Sequence, residues 1–193
     1  MMQDLLRERY PKTMQLRDGT TVTIRPMVAG DGEALLTFFR GIPAEDRVFL
    51  KDDVTRAEVI ELWCKNLDYD RVLPLLAEAD GRIVGDATLH QRGGGWMRHA
   101  AKVRVVIEPA FRGKGLGSQL VKELITIAEH TDLEKLDVGL MAEQKAAISA
   151  FKDLGFVQVA VFPDHVKDLD GKDRDFVVLV RDLTPVEEIE MPF

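Results

Sequence analysis

The apolar positions along the chain switch repeatedly between a period of two and a period near 3.6, which predicts strands and helices in alternation. After a short helix-like lead, residues 14–26 read as strand, turn, strand: Met14 and Leu16 precede Asp18-Gly19, and Val22 and Ile24 follow in alternation. An Asp-Gly pair between alternating segments is a hairpin signal, because glycine accepts the positive φ of a two-residue turn. Between residues 31 and 40, Ala34, Leu35, Phe38 and Phe39 fall at helical spacing; Pro43 ends that helix, and a short one follows through Phe49. Thr55 and Glu58 have the spacing of a capping box, so a further helix is expected from Thr55 to about Leu67.

Residues 73–79 and 83–89 form a second hairpin around Ala79-Asp80-Gly81, and Gly93-Gly94-Gly95 reads as a flexible connection. The run 103–108 is rich in β-branched residues and Pro109 stops it. A long helix over 115–130 then carries Leu116, Leu120, Leu124, Ile127 and Ala128 on one side. A strand over 136–140, a helix over 143–154 and strands over 156–162 and 176–180 complete the pattern, with 163–174, rich in Asp, Lys and Gly, as a loop. Alternation of helices and strands together with hairpins predicts an α/β (α+β) domain with a mixed sheet.

Composition narrows this to one ordinary globular domain over 1–193, with 46% hydrophobic and 31% charged residues. Within it, 1–20 reads as an N-terminal extension and 184–193 as a C-terminal tail. The net charge of −7 comes from acidic residues spread along the chain, which argues against a broad nucleic-acid surface. Residues 1–11 lack the apolar run of a signal peptide and no later stretch is long enough to span a bilayer, so no membrane role and a cytoplasmic location are expected. The single cysteine, Cys64, excludes an internal disulfide and leaves little thiol for a metal; it reads as an inert buried thiol. The sequence leaves a homodimer open.

One segment carries chemistry. A β-branched strand leads through Pro109 and Phe111 into Arg112-Gly113-Lys114-Gly115-Leu116-Gly117-Ser118 and then a helix. Glycines at such a turn let backbone N–H groups face a ligand closely, and the helix N-terminus adds partial positive charge, which together suit a diphosphate. Arg112 and Lys114 add point charges and Ser118 a hydroxyl. The run lacks both the dinucleotide-binding G-x-G-x-x-G spacing and the Gly-Lys-Ser/Thr of a P-loop. For the glycines alone, a plain tight turn is the competing reading.

This segment resembles the cofactor signature of the GNAT superfamily of N-acetyltransferases, Gln/Arg-x-x-Gly-x-Gly/Ala after a strand, at Arg112, Gly115 and Gly117. The resemblance extends to Ile24-Arg25-Pro26, Ile83-Val84-Gly85 and Leu154-Gly155-Phe156. It implies a mostly antiparallel central sheet with one splayed parallel pair, 103–108 beside 136–140, flanked by helices. It also implies acetyl-CoA as cosubstrate and an amine as acceptor. Val105, Val106 and Ile107 match the strand that pairs with the pantetheine arm, and Gly113, Lys114, Gly115, Leu116, Gly117 and Ser118 match the diphosphate cradle.

Other positions depart from the family pattern. Phe151 stands where many members have a tyrosine that protonates the departing thiolate, Lys102 and Gly139 stand where acidic residues are frequent, and Gln144 replaces a common asparagine. Candidate bases for the acceptor amine are therefore His90, His165 and Glu78, with Asp86 and His99 behind them. Surface or ion-paired roles compete for each. Lys102 and Arg104 alternate with Val103 and Val105 and so share one strand face, where an acidic substrate is one reading and pairing with neighbouring carboxylates the other. Phe38, Phe39, Phe49 and Trp63 read as core or as lining of an acceptor pocket. A CoA-binding module without catalysis is the alternative function.

Overall fold

The computed structural model describes residues 2–48, 50 and 52–184. Among these, eight strands, β1 (Lys12–Gln15), β2 (Thr21–Pro26), β3 (Val72–Ala79), β4 (Arg82–His90), β5 (Ala100–Ile107), β6 (Lys135–Met141), β7 (Val157–Lys167) and β8 (Asp173–Asp182), form one sheet. Six helices accompany them: α1 (Met2–Arg9), α2 (Gly32–Gly41), α3 (Ala44–Arg47), α4 (Ala57–Lys65), α5 (Leu116–Ala128) and α6 (Lys145–Asp153). The strand order is β1-β2-β3-β4-β5-β6-β8-β7. Every neighbouring pair is antiparallel except β5–β6, as the resemblance implies.

The central hairpin shows why these residues form this sheet. Asp80 and Gly81 both have positive φ, 49° and 75°, which matches a primed turn to the twist of its strands. In β3 and β4 nearly every residue is buried, because helices cover both faces. One core gathers Leu75, Ala77, Ala87, Leu89 and Val103 under Leu116, Leu120 and Leu124 of α5. The other gathers Leu76 and Ile83 with Phe38, Phe39 and Ile60 of α2 and α4. A bulge on β4 accommodates both: Ala77 pairs with Gly85 but Glu78 with Ile83, leaving Val84 as the extra residue. At Gly85 a side chain would meet Ile107, Leu120 and Leu116 at 3.0–3.3 Å, so its hydrogen is what lets α5 lie close to the sheet.

Several elements differ from the expected ones. The helix expected from Thr55 begins at Ala57 without a side-chain cap. The Thr55 N–H and hydroxyl are both taken by Asp53 Oδ1, at 3.1 and 2.6 Å, and this local turn replaces the capping box. β5 starts at Ala100 rather than 103. Much of the 163–174 stretch is ladder rather than loop, since β7 runs to Lys167 and β8 starts at Asp173. Pro163 and the polar residues are tolerated because β7 is an edge strand open to water. The expected end of the helix at Phe49 and residues 185–193 of the tail lie outside the described residues.

The N-terminal extension is built into the domain. β1 pairs with β2, and Leu6 and Tyr10 join the α5-side core. Glu123 of α5 is only 5% exposed, and it accepts hydrogen bonds from Arg9 Nε and Tyr10 Oη at 3.0 Å and from Lys12 Nζ at 2.5 Å. Burial raises the Glu123 pKa, but Lys12, Tyr10 and Arg9 together hold it below the ordinary value. Replacing the carboxylate leaves two cations without a counter-charge beside a buried amide. Glu123→Gln is therefore expected to cost about 2 kcal/mol in a denaturant titration and to expose residues 2–12 to limited proteolysis before the remainder.

Candidate active site

The site is organised by the point where β5 and β6 stop pairing. They meet only at Ala100↔Lys135, Ala101↔Leu136 and Lys102↔Asp137. Beyond that, β5 continues to Ile107 bonded to β4 alone, and β6 continues to Met141 bonded to β8 alone. The facing edges thus leave backbone N–H and C=O groups without a strand partner. Val105, Val106 and Ile107, the predicted pantetheine-binding residues, lie on this open edge of β5 and are half-buried.

At the far end of the open edge a short 3-10 turn, Pro109–Phe111, leads into the glycine loop. Gly113 and Gly115 have φ of +73° and +91°, a left-handed backbone that disfavours any side chain. Gly115 is the N-cap of α5, and among the described residues no side chain caps the first-turn N–H groups of Leu116, Gly117 and Ser118. Gly117 packs against β5, where an added Cβ would lie 3.6 Å from Ile107 and 3.8 Å from Val105. The two predicted cations have carboxylate partners. Arg112 donates to the Ile107 carbonyl at 3.1 Å and to Asp46 of α3 at 2.7 Å, and Lys114 lies 2.9 Å from Asp18. Glycine freedom, uncapped helix N–H groups and an extended unpaired edge fit a diphosphate followed by an amide-bearing arm.

Cross-strand register identifies what shares the other face of the sheet, beneath α2 and α4. Asp86 stands opposite Leu76 and Val106, Thr88 opposite Arg104, and His90 opposite Lys102, which in turn stands beside Asp137. Lys102 and Asp137 form a loose ion pair at 3.8 Å. Burial raises the Asp137 pKa against the opposing influence of Lys102 and Arg92. Asp86 is buried with the Thr88 hydroxyl 3.3 Å from each carboxylate oxygen, and burial pushes its pKa up from 3.8 to about 7. Arg104 is half-buried on this face.

The other candidates fall in different places. Glu78 is held by Arg25, which also binds Asp31 in a two-pronged contact at 2.7 and 2.8 Å, so its carboxylate belongs to a structural cluster. His165 is carried by a register shift in β7 between Phe162 and Val166, with Asp164 at φ 52°. The shift stacks the imidazole on Phe162 and Phe176, with centroids 5.2 and 5.9 Å away. The Phe176 ring occupies the space above Gly139 of β6, where any Cβ would collide with it. His165 thus lies on the edge strand against Phe176, a placement that depends on a bulge invisible in the sequence. Phe38, Phe39 and Trp63 pack against one another in the α2–α4 core, and Cys64 is buried beside them. Among the described residues no group of three or more His, Cys, Asp or Glu is placed to hold a metal ion, and no helix is long and apolar enough to cross a membrane.

The profile of the Acetyltransferase (GNAT) family matches residues 38–156, more than half of the chain. The chain belongs to the GNAT acetyltransferase family. It is 25% identical over 166 residues to YwnH of Bacillus subtilis (strain 168), named for phosphinothricin acetyltransfer, covering 84% of this chain and 100% of that protein. It is 23% identical over 137 residues to the L-amino acid N-acetyltransferase AaaT of Escherichia coli (strain K12), covering 70% and 82%. The fold superposes with a TM-score of 0.73 and 21% identity on yncA from Salmonella typhimurium, solved with its cofactor acetyl-CoA, covering 89% and 99%.

Against the GNAT pattern, the departures at Phe151 and Gly139 have structural reasons. Phe151 is buried and packs edge-on against Phe156, centroids 5.0 Å apart, as part of the core. Both tyrosines of the chain are committed elsewhere, Tyr10 to Glu123 and Tyr69 to the Met27 carbonyl. An acidic side chain at position 139 would collide with Phe176. Gln144 accepts the Met141 N–H at 2.9 Å and so secures the end of β6.

The environment of Asp86 makes a pH prediction. The folded state retains its proton up to about pH 7 whereas the unfolded chain loses it near 3.8, so this residue's contribution is full below the lower value and declines as pH rises between the two. Asp86→Asn removes the titration. Its unfolding free energy relative to the parent chain is expected to rise by up to about 1.4 kcal/mol per pH unit from pH 4 to 7 and to level off above, followed by thermal melts across that range.

Proposed function

We propose that the protein is an acetyl-CoA-dependent N-acetyltransferase acting on a primary amine. The observation that carries this reading is the continuity of the open β5 edge with the glycine loop: an extended unpaired backbone ends at a cluster of uncapped helix N–H groups. In this assignment Gly113 to Ser118 hold the diphosphate, while Val105, Val106 and Ile107 orient the pantetheine arm through backbone N–H and C=O groups. Acetyl-CoA, when bound, supplies an acetyl group activated as a thioester. In this assignment a backbone N–H on the open edge binds the thioester oxygen without any side chain.

The acceptor is proposed to be a small amine carrying an anionic group. Two matched relatives are named for acetylating phosphinothricin and L-amino acids. In this chain Arg104 supplies a half-buried cation on the face beneath α2 and α4, where Lys102 is already paired with Asp137. An ammonium must lose a proton before it attacks. His165 is assigned that proton because its ring packs on Phe176, the side chain that covers Gly139 of β6, and is exposed enough to pass the proton to water. The thiolate leaves with a proton from water, since neither tyrosine is available.

Mixing the protein with acetyl-CoA and a panel of amino acids and plain amines, and following free thiol, tests the assignment. Thiol release is expected to be fastest with acceptors that carry a carboxylate or phosphinate. His165→Gln is expected to lower kcat/KM about a hundredfold and Arg104→Ala to raise the acceptor KM about tenfold. Calorimetric binding of coenzyme A with no thiol release across the panel would mark a CoA-binding module instead.

A further inference from the structure

The N-terminal extension reaches the glycine loop. The turn of the β1–β2 hairpin docks on it through a backbone bond, Arg17 N–H to the Lys114 carbonyl at 3.2 Å. The same turn contributes Asp18, which pairs with Lys114 and is drawn down to a pKa of about 2, chiefly by the Lys114 hydrogen bond. The Arg17 side chain runs across Gly115: a Cβ there would lie 3.4 Å from Arg17 Nε and 3.7 and 3.8 Å from its Cγ and Cδ. The guanidinium is thereby held beside the residue that opens α5.

The cations around this loop are otherwise neutralised. Arg112 is bound to Asp46, Lys114 to Asp18 and Arg82 to Glu108. Among the described residues no carboxylate pairs with Arg17. An exposed guanidinium with no counter-charge among the described residues, fixed by its backbone next to uncapped helix N–H groups, is suited to a phosphate, which it can bind with two parallel hydrogen bonds. Arg112 and Lys114 must first give up carboxylates to do the same.

We propose that Arg17 is a phosphate-binding residue for coenzyme A, supplied to the glycine loop by the N-terminal hairpin. The proposal rests on the coenzyme A reading of the loop. It also gives the extension a function: anchoring of residues 2–12 on Glu123 holds the hairpin whose tip bears Arg17.

Calorimetric titration of the full chain and of Arg17→Ala with coenzyme A, 3′-dephospho-coenzyme A and pantetheine tests it. Arg17→Ala is expected to bind coenzyme A about tenfold more weakly, with a shallower salt dependence, unchanged pantetheine binding and an unchanged melting temperature. Arg17→Lys should recover part of the loss. An equal loss with 3′-dephospho-coenzyme A places the guanidinium on the diphosphate, and a loss confined to coenzyme A places it on the 3′-phosphate; either supports the proposal. Coenzyme A affinity within twofold of the parent chain overturns it while leaving the loop assignment standing. Failure of the parent chain itself to bind coenzyme A overturns both.

Discussion

The structure turns on an interruption: β5 and β6 pair for three residues and then part. Leaving backbone groups without partners costs about 1–3 kcal/mol for each that is buried, so the parted strands must be held from outside. β4 holds β5 along Lys102–Ile107, β8 holds β6 along its whole length, and Gln144 secures the end of β6. On one face α5 packs against β4 and β5 through the opening left by Gly85. On the other, the Phe176 ring fills the space above Gly139. The opening is therefore a property of the assembled sheet, and it meets the glycine loop because the same strand, β5, runs directly into that loop.

Charge at the cofactor end is arranged by contacts distant in sequence. A chain of net charge −7 has little long-range attraction for an anion, so in the proposed function local donors would hold the cofactor. The loop's own cations are balanced by Asp18 and Asp46 from two other elements. This balance keeps the loop from being a cluster of repelling charges, and among the described residues it leaves the backbone N–H groups and Arg17 without a competing carboxylate. The N-terminal segment, held to α5 through Glu123, thereby connects domain stability to the geometry of the loop.

Two positions that depart from the family pattern are occupied by packing. Where a tyrosine is frequent, Phe151 completes an aromatic pair in the core, and where an acid is frequent, Gly139 admits the Phe176 ring. The polar groups on the sheet face beneath α2 and α4 are Asp86, Thr88, His90, Lys102, Arg104 and Asp137, arrayed by strand register. Burial raises the pKa of both Asp86 and Asp137, in the second case against the opposing influence of Lys102 and Arg92.

Periodicity and turn chemistry alone determined most of the elements: the Asp-Gly hairpins, the α5 stripe of Leu116, Leu120 and Leu124, and the glycine loop with its flanking strand are local patterns with local causes. The glycine turn and the strand that leads into it were legible for the same reason, since both lie within one continuous segment. What only the tertiary structure decided depends on pairing between distant residues. The partner of β7 determined that residues 163–167 and 173–174 extend a bulged ladder that sets His165 against Phe176. The packing of Arg25 determined that Glu78 is spent on an ion pair, and the docking of the β1–β2 turn brought Arg17 to Gly115. Side-chain direction and charge neutralisation are set by neighbours across the sheet, and a one-dimensional pattern carries no record of which neighbours those are.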